Sequence, residues 1–241
     1  MAGFSEIQFS YSVIREIEDR LVFGNVGIPF IPSTRDEGSL GYDVRFDGPV
    51  SAYFLQFKIP EYLHKRSANE WDLFNKSYFR FSLYPDNISK QHNLLVNLAE
   101  EPRNSVYYCA PGFVKSSEYE MLHRSRSVSA HSAFISVKAL DKIKDGEKHV
   151  IVYRITPLKC YMMSEPAEIN SVQGWGSLLE HSLRFDYFYN SIEHFAEETW
   201  RLLREVSPKE DLVLLGEENN KLKSITEYLI SKNIAFLLIK E

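Results

Sequence analysis

Three side chains in the stretch GYDVRFDGPVSAYFLQFK, residues 41–58, have types suited to chemistry: Asp43, Gln56 and Lys58. An acid and an amine that look into one pocket can grip a cation and a phosphate together, whereas the same groups on a wet face do nothing. Their placement therefore decides the matter. The stretch reads as two short strands around a turn, and side chains alternate faces along a strand. That puts Tyr53, Leu55 and Phe57 on one side and Phe54, Gln56 and Lys58 on the other. With residues 48–51 as a four-residue loop, Asp47 pairs with Ala52 and Asp43 falls opposite Gln56, about 5 Å apart at Cβ. A slip of one residue would undo this arrangement. A hairpin whose polar face simply meets water is the alternative. Phe54 speaks against it, because it shares the side of Gln56 and Lys58, and a lysine held out of water is costly unless paired.

The elements around the stretch follow from periodicity. SYSVIREIEDRLVF carries apolar residues at Val13, Ile14, Ile17 and Leu21, a helical spacing. IPEYLHKRSANEWDLFNK predicts one short helix, and YFRFSLYP a strand. ISKQHNLLVNLAEE predicts a second amphipathic helix capped by Ser89, with Leu94, Leu95 and Leu98 on one face. SVYYCAP is a strand, KSSEYEMLHRS a helix, and SAFISV, KHVIVYRI and KCYMMS are strands. Residues 175–206 read as one long helix or two abutting ones, ended by Pro208. The last thirty residues fit either strand, helix, strand or a helical pair.

An aspartate at the start of one strand, followed on the next by a Glu/Asp/Gln-x-Lys triplet, resembles the PD-(D/E)XK nuclease superfamily. Here the elements are Asp43 in GYDV and Gln56-Phe57-Lys58, the only such triplet in the chain. Two positions depart from the pattern: Tyr42 stands where the family has proline, and Gln56 replaces the usual carboxylate. The resemblance covers about the first 110 residues. It implies a restriction-endonuclease-like αβββαβ core with a central mixed sheet, an α+β or α/β fold, with residues 59–88 as an insertion. Residues 1–160 would form this core and residues 161–241 a mostly helical C-terminal extension of the same or a second domain.

The function implied is Mg²⁺- or Mn²⁺-dependent hydrolysis of a phosphodiester, a DNA endonuclease of restriction or antiviral defence. Asp43, the Gln56 side chain, the Phe57 carbonyl and Glu18 would hold the metal. Glu18 is chosen because it borders the apolar stripe of the first helix while Glu16 and Asp19 point away; Glu37 is the reserve. Asp43, Gln56 and Lys58 would be catalytic, with Lys58 kept protonated by Asp43 and stabilising the developing charge. Gln91, at the start of the second core helix, could orient a phosphate, although it or His92 also fits a satisfied polar residue at a helix start. Lys65, Arg66, Lys76, Arg80, Arg124 and Arg126 lie in the two basic, aromatic-containing stretches that could touch nucleic-acid backbone, DNA before RNA. Solvated loops explain these stretches equally well.

Composition sets looser bounds. Net charge is −5 at pH 7, but residues 161–241 hold 14 acids against 8 bases, so the first 160 residues are near neutral and a basic groove stays open. The acidic, aromatic tail suits a protein partner or a homodimer through the C-terminal helices. This supports the alternative function, a catalytically inert nuclease-fold sensor or partner subunit. No apolar run approaches the roughly 20 residues of a membrane span, and no secretory signal is evident. With two cysteines, the expectation is a cytoplasmic protein with reduced thiols.

Overall fold

The computed structural model describes residues 2–21, 50–85, 87–163, 167–174, 189–216 and 220–240. Asp43 and Glu37, and the first strand of the expected hairpin, lie outside them.

Helix α1, Glu6–Leu21, opens with a reciprocal cap. The Ser5 hydroxyl accepts from the Gln8 backbone N–H at 3.1 Å, and the Gln8 side chain accepts from the Ser5 N–H at 2.9 Å. Its buried stripe contains Phe9 as well as Val13, Ile14 and Ile17. The stripe packs on one face of strand β1, Val50–Phe57, through Tyr53, Leu55 and Phe57. On the opposite face Ala52 and Phe54 join a second, larger core. The alternation expected for this strand is therefore present. With both faces covered, β1 reads as a nearly unbroken apolar run.

The chain then forms β2 (Glu61–Leu63), α2 (Trp71–Phe74) and β3 (Tyr78–Leu83). The single helix expected over residues 59–76 is instead this short strand and one helical turn. Its aromatic and charged residues have no helical period, and Glu61 to Leu63 pair with β3. Helix α3, Gln91–Glu100, buries Leu94, Leu95 and Leu98 as expected. It starts after Lys90, and Ser89 Oγ accepts only a long 3.4 Å bond from the Gln91 N–H. Next come β4 (Asn104–Pro111), α4 (Ser116–Arg124), β5 (Ser132–Ser136), β6 (His149–Ile155) and β7 (Leu158–Met162). Two-residue strands β8 (Ala167–Glu168) and β9 (Val172–Gln173) follow, then α5 (Ile192–Val206), α6 (Lys221–Ser231) and β10 (Ala235–Lys240).

The described strands make two five-stranded sheets, ordered β10-β1-β4-β5-β9 and β2-β3-β6-β7-β8. The first sheet is mixed: β1 and β4 run parallel, and β10 is antiparallel to β1. Helix α1 covers one face, while α3, α5 and α6 cover the other. The fold is a mixed α+β one.

One expectation is corrected here. Ala52 was expected to pair with Asp47, but its sheet neighbours are Leu238 on one side and Asn104 on the other. The C-terminal strand holds the edge assigned to the hairpin partner over Val50–Leu55. The division at residue 160 falls inside β7, and the C-terminal part supplies a strand to the first sheet beside β1. Helices α5 and α6 and strand β10 bury side chains in the same core as α3 and β4. No helix among the described residues is long and apolar enough to cross a membrane.

Candidate functional site

Parallel strands β1 and β4 end together, with Phe57 opposite Cys109 and the Lys58 N–H donating to the Cys109 carbonyl at 3.0 Å. The carboxyl ends of parallel strands are the usual place for a ligand in such sheets, because helix N-termini gather there. Lys58 is the first residue past β1. Its ammonium donates to Gln91 Oε1 at 3.0 Å, and Gln91 sits in the first turn of α3. Gln91 is itself fixed: its Nε2 donates to the Lys232 carbonyl at 2.6 Å, in the turn between α6 and β10. The neighbouring Asn233 side chain donates to Glu6 at the start of α1 at 2.9 Å. Four separate segments thus converge on the amine.

Burial lowers the pKa of Lys58, and the Glu6 carboxylate pulls it partly back up. Asp43, expected to keep Lys58 protonated, lies outside the described residues; among those described, the charge is a balance between desolvation and Glu6. The sign of the linkage follows. Lys58 binds its proton less tightly in the folded chain than in the unfolded one, so stability rises with pH between the depressed value and the ordinary value of about 10.4. Lys58→Met should remove this contribution to the alkaline rise. Urea denaturation across pH 7 to 10 checks it, and equal slopes for the two proteins would refute it.

Gln56 lies on the same face, two residues before Lys58, and is 0% exposed. Its Nε2 donates to the Phe57 carbonyl at 3.1 Å, while Oε1 has no hydrogen-bond partner among the described residues. A buried polar atom left unpaired is costly and calls for a reason. The two oxygens expected to hold a metal, Gln56 Oε1 and Phe57 O, therefore belong to neighbouring groups. Both are neutral. Among the described residues, no three His, Cys, Asp or Glu side chains gather as a metal site.

Beside the amine, Tyr108 of β4 places its ring centroid 6.0 Å from Lys58 Nζ. His92 Nε2 lies 2.9 Å from the Asp141 carbonyl, which can only accept, so Nε2 carries the proton. Nδ1 then accepts from the Tyr108 hydroxyl at 2.9 Å. Burial lowers the pKa of His92. Both ring nitrogens are used, so His92 is the satisfied polar residue at a helix start.

Glu18 is elsewhere. It stands twelve residues beyond Glu6 on the same helix, about 18 Å along the axis, and Glu6 is the acid that acts on Lys58. Burial and neighbouring Asp19 raise the Glu18 pKa. Glu16, expected to point away, is buried and accepts from the backbone N–H groups of Val128 and Ser129, both at 2.8 Å. Phe9 explains the error: including it rotates the centre of the apolar stripe toward Glu16 and away from Glu18. Glu6 itself carried no sequence signal beyond its place in the first turn of a capped helix.

The expected substrate contacts separate. Lys65 and Arg66 are exposed after β2. Arg124 is exposed at the end of α4, while Arg126 donates to Asp19 of α1 at 2.5 Å. Arg80 is held by Glu61 and Glu70. No known protein family, curated protein or solved structure matches this chain. The residues and their geometry are what carry a function.

Proposed function

We propose that the chain is a metal-dependent phosphodiester hydrolase acting on DNA, with its centre at the carboxyl ends of β1 and β4. One observation carries the proposal: the Lys58 ammonium, held by Gln91, stands on the same strand face as the buried, unpaired oxygen of Gln56. Gln56 Oε1 and the Phe57 carbonyl fit a hard divalent cation such as Mg²⁺, which prefers oxygen. Asp43, outside the described residues, would supply the carboxylate; Glu18 does not fit, since it lies at the far end of α1. When bound, the cation would polarise the phosphate and acidify a water. Lys58 would donate to a non-bridging phosphate oxygen as charge builds there, with Gln91 holding it in place. Glu6 favours the protonated form of Lys58 against its burial.

Plasmid and single-stranded DNA should be cut in the presence of Mg²⁺ or Mn²⁺ and left intact in EDTA. Failure to cut any DNA with either metal would overturn the proposal. A second reading is favoured by the neutrality of Gln56 and by its amide already bonding Phe57: the same fold as a non-catalytic sensor or partner subunit. Absent cleavage together with absent Mn²⁺ binding in calorimetry supports that second reading.

A further inference from the structure

A cleft of about 590 Å³ opens between the β2–α2 segment and the turn joining β6 to β7, a volume typical of small-ligand sites. Three aromatic rings line it, Tyr62, Trp71 and Phe79, together with the cations Lys76 and Arg154; no acid lines it among the described residues. Two of these rings, Tyr62 and Phe79, pack on one another rather than standing as scattered surface residues. Tyr62 and Phe79 have centroids 5.2 Å apart, and Phe79 is backed by the core residue Tyr153 in a stacked pair at 5.6 Å. His64 stacks on Tyr62 at 5.8 Å, and Tyr62 is nevertheless 44% exposed, so part of its ring remains open to a partner.

The two cations are unlike their neighbour on the same sheet. Arg80 is neutralised by Glu61 and Glu70. Lys76 and Arg154 have no carboxylate partner among the described residues, and Arg154 spends only Nη2, on the Thr156 carbonyl at 2.7 Å. Among the described residues the remaining guanidinium N–H groups have no partner. Gly112 also lines the cleft. A Cβ there would sit 2.2 Å from Ile155 Cγ1, so glycine is what lets the β6–β7 turn close against the end of β4. Gly112 is three residues beyond Cys109, the partner of Phe57, and so about 10 Å along the sheet from the strand end that carries Lys58.

An aromatic platform flanked by unpaired cations is the chemistry that holds a flat base and its phosphate. We propose that this cleft binds one nucleotide of a single-stranded nucleic acid, with the base against Tyr62 and Trp71 and the phosphate on Lys76 and Arg154. That the bound strand is the one cut beside Lys58 rests on the proposed hydrolase; the binding does not.

The test is fluorescence anisotropy of a labelled eight-residue oligothymidylate with the full chain in EDTA, so that no cleavage intervenes. Thymidine 5′-phosphate should compete, and inorganic phosphate at the same concentration should not. Tyr62→Ala and Arg154→Ala should each weaken binding about tenfold, the range of one stacked base or one charged contact. Tyr62 and Arg154 are only partly buried, so both variants should fold, and thermal melting verifies this. Loss of oligonucleotide binding in the parent, equal competition by phosphate, or parental affinity in both variants would overturn the proposal. Binding with these responses but no cleavage in Mg²⁺ would support the cleft and remove only the hydrolase.

Discussion

Lys58→Ala should lower Mg²⁺-dependent cleavage by about 10²–10³-fold, the usual loss when one preorganised donor to the transition state is removed. The expectation rests on how thoroughly the amine is placed. It is fixed by Gln91, which is fixed in turn by the Lys232 carbonyl, and the Tyr108 ring lies beside it. Such a donor pays little reorganisation at the moment of reaction, so its whole effect falls on the chemical step. Substrate affinity should change far less than the rate. Lys58→Arg should not restore the rate, because a planar fork cannot take the place of a compact ammonium facing Gln91 Oε1. Gln91→Ala should show a smaller loss of about tenfold together with an altered alkaline limb of the pH–rate profile, since it acts through Lys58. Cleavage by the Lys58→Ala protein at the parental rate would remove Lys58 from the mechanism.

What the sequence disclosed was local. Alternation along residues 52–58 separated the two faces of β1 correctly, because both faces are buried against helices whose own stripes were equally plain. Its pairing partners were another matter. The strand beside β1 on the expected hairpin edge begins at Ala235, over 170 residues away, and periodicity holds no information about pairing at that distance. AFLLIK reads as a buried strand or a piece of helix with equal ease. Only the finished sheet distinguishes the two.

The site was legible to a similar depth. The triplet placed Gln56 and Lys58 on one face, and a helical stripe put Gln91 at the start of α3; the structure joins Lys58 to Gln91 directly. The direction in which α1 crosses the sheet could not be read. It brings Phe9 onto Phe57, with ring centroids 5.7 Å apart, and so carries Glu6 rather than Glu18 to the strand ends. Glu18 stands about 18 Å along the same helix from Glu6. Lys65 and Arg66 are exposed past β2, and Arg126 is tied to α1 by an ion pair, because a run of basic residues does not specify which face its loop will join.

Glu16→Ala is expected to destabilise the fold by about 3–5 kcal/mol, the cost of leaving several buried donors without their acceptor. For a chain of this size that is a fall of roughly 10 °C in melting temperature. Glu16 is 2% exposed. Its carboxylate accepts from the Val128 and Ser129 N–H groups and, at 2.5 Å, from the Ser129 hydroxyl. Alanine would leave two backbone donors and a hydroxyl buried with no acceptor, each costing about 1–3 kcal/mol when water cannot reach it. Glu16→Gln keeps one acceptor oxygen but turns an amide donor toward another donor, so it should recover only part of the loss. Differential scanning calorimetry of the three proteins gives the order; a Glu16→Ala protein melting within about 2 °C of the parent would contradict it. The loss should be one of stability alone. Glu16 spends its carboxylate on the turn before β5, so Glu16→Gln assayed well below its melting temperature should cut DNA as the parent does, and the buried acid of this helix is then a fastener rather than a ligand.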